Sequence, residues 1–170
     1  MDKFSKKILK ELLPAEPDAA LLEATARAGR KKPKGLLDHW SAAVLLERAA
    51  YLRKLARQGD GSASETLREY PSHSAMLLFR SRDGGAEAHE NFADVFYVLE
   101  GHAALVTGGV VAGAESVGPG ETRGSSVEGG LRQQLQAGDV AHVPAGLPHQ
   151  MTVAAGQTIT CLVMKIQEKR

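Results

Sequence analysis

The chain has 170 residues, of which 43% are hydrophobic and 24% charged, with a formal net charge of +1. This size and composition are typical of one globular domain and exclude a disordered chain. The single cysteine excludes an internal disulfide and a cysteine-based zinc site. No apolar run reaches the roughly 18 residues of a membrane-spanning helix, and charges interrupt the N-terminal residues too often for a signal peptide. We therefore expect a cytoplasmic protein without membrane contacts.

Basic residues are concentrated at the N-terminal end, where residues 1–58 hold 13 Lys and Arg against 7 Asp and Glu. The basic run 30–34 raises the possibility of a nucleic-acid-binding arm. It surrounds a proline and contains no aromatic residue, which is more typical of a solvated loop between helices. No helix-turn-helix pattern precedes residue 60, so a nucleic-acid partner is not favoured.

Three helices are predicted in this basic part of the chain. Apolar residues at helical spacing predict helices over 4–13 and 19–28. A longer helix is predicted from Asp38 or Ser41 to Gln58, ended by Gly59. We expect its apolar face to consist of Trp40, Val44, Leu45, Tyr51, Leu52 and Leu55. Residues 1–60 are accordingly assigned to a helical N-terminal extension.

Residues 61–170 have the pattern of a β domain. The runs 73–80, 94–101 and 102–109 have strand length and are separated by glycines. Further strands are predicted over 132–139, 140–146, 149–153 and 158–166. Many short strands without intervening helices predict an antiparallel barrel or sandwich. Residues 107–130, which hold 8 of the 18 glycines, are predicted to form a long loop or hairpin whose role the sequence does not define.

Two segments of the β region carry polar side chains suited to chemistry. In the segment 85–101, Glu87, His89 and Asn91 are two residues apart, so on a strand they would face the same cavity. In the segment 138–150, a Pro-x-Gly turn is expected to direct His149 towards the interior. His142, on the strand that enters this turn, either binds with His149 or only lines the barrel.

These two segments resemble the paired motifs of the cupin superfamily. Counting back from the glycine that closes the first motif, Asp94 stands at the family's Glu position, and His89 and Glu87 stand at its two His positions. Ser81 stands where the motif opens with glycine. The second motif is matched by Gly138, Pro144, Gly146 and His149, and Val153 replaces its final Asn. The resemblance covers residues 73–166.

The resemblance implies an antiparallel double-stranded β-helix, the cupin or jelly-roll barrel, preceded by the helical extension. It also implies a metal site formed by Glu87, His89, Asp94 and His149. Imidazole and carboxylate donors suit a divalent ion such as Fe, Mn, Zn or Ni. Because two family ligands are replaced, a polar pocket without metal is the alternative. Asn91, His142, Phe96, Val98 and Met151 are expected to line the pocket.

The resemblance leaves two functions open. One is a mononuclear metalloenzyme, dioxygenase-like or isomerase-like, that acts on a small polar organic molecule. The other is a non-catalytic module that binds a small ligand without metal.

Both faces of the strand 94–101 are largely apolar, so its outer face must be covered by the 41–58 helix or by a second subunit. Cupins commonly pair, which implies a homodimer. The sequence identifies neither the substrate nor the reaction.

Overall fold

The computed structural model describes residues 37–168, in which one helix is followed by twelve β-strands. Every pair of neighbouring strands is antiparallel. This confirms the predicted mainly β architecture. The helices predicted over 4–13 and 19–28 lie outside the described residues. No helix within 37–168 combines the length and the hydropathy needed to cross a membrane.

Helix α1 extends over Ala42–Gln58, as predicted. It begins at Ser41, whose hydroxyl accepts a hydrogen bond from the Val44 N–H, and it ends at Gly59. Its buried side chains differ from the predicted face. They are Leu45, Ala49, Leu52 and Ala56, whereas Val44, Tyr51 and Leu55 remain about two-fifths exposed. The two alanines lie within the buried stripe, and small side chains there let the helix lie close to the sheet.

The strands have the following bounds: β1 Ser62–Glu69, β2 His73–Arg80, β3 Ala86–His89, β4 Phe92–Thr107, β5 Val110–Ala112, β6 Glu115–Gly118, β7 Glu121–Gly124, β8 Ser126–Glu128, β9 Leu131–Gln136, β10 Val140–Val143, β11 His149–Thr152 and β12 Ile159–Gln167. The main sheet has the order β1-β2-β12-β4-β11-β3-β7-β6, and β9 and β10 also pair with β4. Strands β5 and β8 form a separate pair. The Gly-rich stretch 107–130, predicted as a long loop or hairpin, thus contains four short strands, of which β6 and β7 pair as a hairpin.

Strand β4 corrects the prediction of two strands separated by a turn at Gly101. The chain continues through Gly101, which has a φ of +83°. Strand β12 pairs with the first part of β4, up to Gly101, and β11 pairs with its last part, from Ala104 to Thr107. Glycine adopts this left-handed conformation without steric cost, so it bends the strand here instead of ending it. As a result, β4 pairs with strands in both halves of the curled sheet.

Two apolar clusters stabilise the described part of the chain. The first fills the inside of the curled sheet and includes Phe96, Val98, Met151, Cys161 and Val163. The second lies between α1 and the outer face of β2, where Leu45, Ala49 and Leu52 pack with Leu77 and Phe79. The helix of the same chain therefore covers part of the outer sheet face, which was one of the two predicted covers.

Candidate metal centre

Three strands position the four side chains that the motifs single out. Glu87 and His89 lie on β3, Asp94 lies near the start of β4, and His149 begins β11. In the sheet register His149 is directly opposite Glu87. The Pro144–Gly146 turn is tied to β3, because the Gly146 N–H donates a hydrogen bond of 2.7 Å to the His89 carbonyl. This link brings the two motifs into contact.

The four side chains meet at one point inside the sheet. Asp94 Oδ2 lies 3.2 Å from His89 Nε2 and 3.3 Å from His149 Nε2. The two carboxylate oxygens of Glu87 lie 3.5 Å and 3.7 Å from the same two nitrogens. Donor atoms of Glu87, His89 and His149 are all within 4.8 Å of one another. The contacts that Asp94 and Glu87 make with the two imidazoles lie within the roughly 4 Å that separates ligands of one ion, so this cluster could hold a metal ion.

Burial separates the two histidines and Asp94 from solvent, whereas the Glu87 side chain is 23% exposed. His89 and His149 are 2% exposed and Asp94 is 4% exposed. Within residues 37–168, only three buried side-chain polar atoms lack a hydrogen-bond partner, and two of them are His149 Nε2 and Asp94 Oδ1. Buried polar atoms are nearly always paired, so two unpaired atoms at one point indicate a missing partner.

Hydrogen bonds fix the orientation of both imidazoles. The Nδ1–H of His149 donates to the carbonyl of Leu147 at 3.1 Å. The Nδ1–H of His89 donates to Glu121 Oε2 at 2.6 Å. A neutral imidazole that donates from Nδ1 has its lone pair on Nε2. In that neutral form both lone pairs belong to the nitrogens that face Asp94 and Glu87, whereas a ring that also carries a proton on Nε2 donates it to Asp94.

Glu121 and Arg123 are brought to the centre by β7, which pairs with β3. In the structure Arg123 forms an ion pair with Glu87, and its second nitrogen lies 3.8 Å from Glu121. Both residues lie in a Gly-rich stretch where apolar and polar residues hardly alternate. The sequence therefore did not indicate the strand register that brings them to the centre.

Lys165 is a further residue at the centre that neither sequence motif contains. It lies on β12 opposite Asp94, and its Nζ is 2.9 Å from His89 Nε2. The sequence did hold a signal, because residues 161, 163 and 165 alternate onto one face of this strand. Cys161 and Val163 are buried in the inner core, so a lysine two residues further along is directed towards the same interior.

Burial and the neighbouring charges shift the pKa of Asp94 and of Lys165 in the centre. Burial raises the pKa of Asp94, but the imidazoles of His149 and His89 and the ammonium of Lys165 outweigh it, so the pKa lies well below its ordinary value. Burial lowers the pKa of Lys165 below its ordinary value, although the charges of Asp94 and Glu121 act in the opposite direction. Asp94 is therefore a carboxylate that carries its full negative charge at neutral pH.

Two expected pocket residues lie elsewhere. Strand β3 ends at His89, so Asn91 falls in the following turn, where it is exposed. His142 is on the outer face of β10 with its side chain 54% exposed, and its Nε2 is 3.9 Å from Glu168. On β10 the residues Ala141 and Val143 take the inward positions. His142 and Val140 share the other strand face, which faces outwards.

The other three expected lining residues are inside the sheet. Phe96, Val98 and Met151 are all at most 5% exposed and belong to the inner core. The ring of Phe96 lies 6.2 Å from the His149 ring, centre to centre. Apolar side chains thus adjoin the cluster of charged groups from the side of the core.

No protein-family model matches this chain, and none of the curated proteins compared with it matches either. Similar folds do occur among solved structures. TT1209 from Thermus thermophilus has a TM-score of 0.51 and 19% identity, over 73% of this chain and 95% of that one. The Schizosaccharomyces pombe Cnp3 cupin domain has a TM-score of 0.48 and 11% identity, over 63% of this chain and 65% of that one. The polyketide cyclase RemF from Streptomyces resistomycificus has a TM-score of 0.45 and 18% identity, over 64% of this chain and 68% of that one. At identities this low, the similarity shows a shared fold and nothing about activity.

Proposed function

Because the chain has the cupin fold, we propose that it binds one divalent metal ion inside the barrel. His89 and His149 bind through Nε2, and Glu87 and Asp94 supply carboxylate oxygens. The donor set suits Fe, Mn, Zn or Ni, since these ions accept both imidazole nitrogen and carboxylate oxygen.

The observation that carries this proposal is the pair of unpartnered atoms at the centre. His149 Nε2 and Asp94 Oδ1 are buried without a hydrogen-bond partner in the described part of the chain. Leaving a buried polar atom unpaired costs about 1–3 kcal/mol, and more for a charged group. A cation between the two imidazoles and the carboxylates would satisfy both atoms.

The charge of the centre supports the same proposal. Three carboxylates, those of Glu87, Asp94 and Glu121, face the two cations Arg123 and Lys165. Among these charged side chains the carboxylates therefore outnumber the cations by one. An unpaired negative charge in a partly buried group is costly, and a divalent cation would pair with it.

We further propose that the protein is a mononuclear metalloenzyme for a small polar organic molecule. When bound, the metal supplies Lewis-acid or oxygen-activating chemistry. The chain's own residues supply the surroundings. Phe96, Val98 and Met151 exclude water on the core side, and Arg123, with its side chain 45% exposed, lies between the centre and solvent. An incoming polar molecule would thus meet a cationic side chain on the open side.

The test is the metal content of the purified protein before and after treatment with a chelator. We expect close to one divalent ion per chain, lost with the chelator and restored by adding Fe²⁺, Mn²⁺, Zn²⁺ or Ni²⁺. His149→Ala should lose most of this metal. His142→Ala is the matched control, because it removes an exposed histidine away from the cluster. Wild-type protein that binds none of the four ions, or equal loss in both variants, would contradict the proposal.

One observation favours the alternative, a metal-free module that binds a small polar ligand. Lys165 Nζ already lies against His89 Nε2, so the centre contains a cation of its own. In that function His149 would hydrogen-bond the ligand directly through Nε2. A stoichiometric small molecule that co-purifies with metal-free protein, and is lost in His149→Ala, is the result that this alternative predicts.

A further inference from the structure

Lys165 places a positive charge within the candidate metal centre. Its Nζ lies 2.9 Å from His89 Nε2 and 3.9 Å from Asp94 Oδ1. The register of β12 against β4 sets Lys165 opposite Asp94, and the lysine side chain is only 28% exposed. The strand pairing, rather than a chance position of a surface lysine, therefore brings the ammonium to this point.

The contact between Lys165 and His89 allows one arrangement of hydrogens. An ammonium group only donates, so His89 Nε2 must accept. The Glu121 carboxylate accepts in turn from the Nδ1–H on the other side of the ring. In this arrangement the Nε2 lone pair of His89 is directed at the Lys165 ammonium.

A metal ion at the centre needs that same lone pair. Metal–imidazole bonds are about 2.0–2.1 Å long, shorter than the 2.9 Å between His89 Nε2 and Lys165 Nζ. An ion on the lone pair that faces Lys165 would therefore lie well within contact distance of the ammonium. The two cations exclude each other. We propose that Lys165 competes with the metal for His89 Nε2 and so lowers the apparent metal affinity of the centre. This inference rests on the metal binding proposed above.

The lysine side chain is able to leave the imidazole. Its four-carbon stem rotates freely and its ammonium is well hydrated. The side chain is partly exposed, and both Asp94 and Glu121 act electrostatically on its charge. A displaced ammonium thus has carboxylates and water as partners. Apparent affinity equals intrinsic affinity multiplied by the fraction of molecules in which the site is free. If Lys165 holds His89 in about nine of ten molecules, removing it strengthens binding about tenfold.

The experiment compares the Zn²⁺ affinity of full-length wild type, Lys165→Met and Lys54→Met after removal of metal. Each protein competes for Zn²⁺ with a chromophoric chelator of known affinity. Methionine keeps the length of the lysine stem without its charge. Lys54 is exposed on α1, so its substitution controls for the loss of one positive charge. We expect Lys165→Met to bind Zn²⁺ at least about tenfold more tightly than wild type, and Lys54→Met to bind as wild type does.

Equal or weaker Zn²⁺ binding by Lys165→Met would overturn this inference and leave the metal function intact. Absence of Zn²⁺ binding in all three proteins would overturn both. A readout without metal gives a second test: the ¹⁵N shift of His89 Nε2 should change in metal-free Lys165→Met and stay the same in Lys54→Met. If the methionine variant does not fold, Lys165→Gln replaces it in both measurements.

Discussion

Glu121 controls how His89 presents its lone pair. The 2.6 Å hydrogen bond from Nδ1–H to the Glu121 carboxylate sets the ring orientation and leaves Nε2 facing the centre. Carboxylates in this outer position raise the basicity of a ligating imidazole. Glu121 thus belongs to the centre although it contributes no atom to the cluster of possible ligands.

Glu121→Gln should therefore weaken metal binding by about 10-fold or more, because a neutral amide oxygen is a poorer acceptor than a carboxylate. The measurement is a metal titration of chelator-treated protein. Glu128→Gln, at an exposed position on β8, is the matched control. If the two variants bind metal equally well, Glu121 has no part in preparing His89.

Cys161 is expected to be chemically inert in the native protein. It is fully buried in the inner core, and burial raises the pKa of its thiol to about 12, although the charge of Arg80 opposes this. Only the thiolate is a nucleophile, so a thiol reagent at pH 8 should modify Cys161 only after denaturant is added. Rapid modification of the folded protein at that pH would contradict this account.

The individual residues of the centre were predictable to different degrees. Glu87, His89, Asp94 and His149 could be found because each motif keeps its residues close together in the sequence. Lys165 and Glu121 could not be found that way, since they reach His89 through pairing between strands that are far apart in the sequence. Asn91 was placed wrongly, because alternation along β3 was extended past the residue where the strand ends.

At the scale of elements, Gly101 is the position where β4 bends to serve both halves of the sheet. Its φ is +83°, and a Cβ at this residue would overlap the Thr158 carbonyl. Gly138 also has a positive φ, of +93°, but a Cβ there would meet no atom within 4 Å. Substitutions at these two glycines therefore distinguish the free-energy cost of the backbone conformation from the cost of steric overlap.

Gly101→Ala should lower the free energy of unfolding by more than about 3 kcal/mol, through strain of about 1–2 kcal/mol plus the overlap. Gly138→Ala should cost only the strain, about 1 kcal/mol. Urea unfolding of both variants measures the difference. Similar losses in the two would show that β4 tolerates a side chain at its bend.

The elements were predicted best where a strong boundary residue ends them. Ser41 and Gly59 limit α1, and His73 and Arg80 limit β2, as expected from the sequence. Strand β1 was missed because its sequence, SASETLRE, has few apolar residues and only one side faces the helix. The face of α1 was misplaced because Ala49 and Ala56, which are buried, carry too weak an apolar signal to outweigh Val44 and Leu55.

For the whole molecule, the homodimer and the division at residue 60 remain predictions. Helix α1 covers only part of the outer sheet face, and Tyr97 and Val140 are 43% and 65% exposed there. Exposed apolar side chains on one face are typical of a surface that pairs. Sedimentation analysis of the full-length protein over a range of concentrations should give a dimer. A monomer at every concentration would remove this prediction.

In the proposed function one metal ion binds between His89 and His149. The most direct test is a crystal structure of the protein soaked with Mn²⁺ or Zn²⁺, with anomalous diffraction to locate the ion. We predict one peak about 2.0–2.2 Å from both Nε2 atoms, with Lys165 Nζ moved away from His89. No peak at this point, together with Lys165 still bonded to His89, would contradict the account.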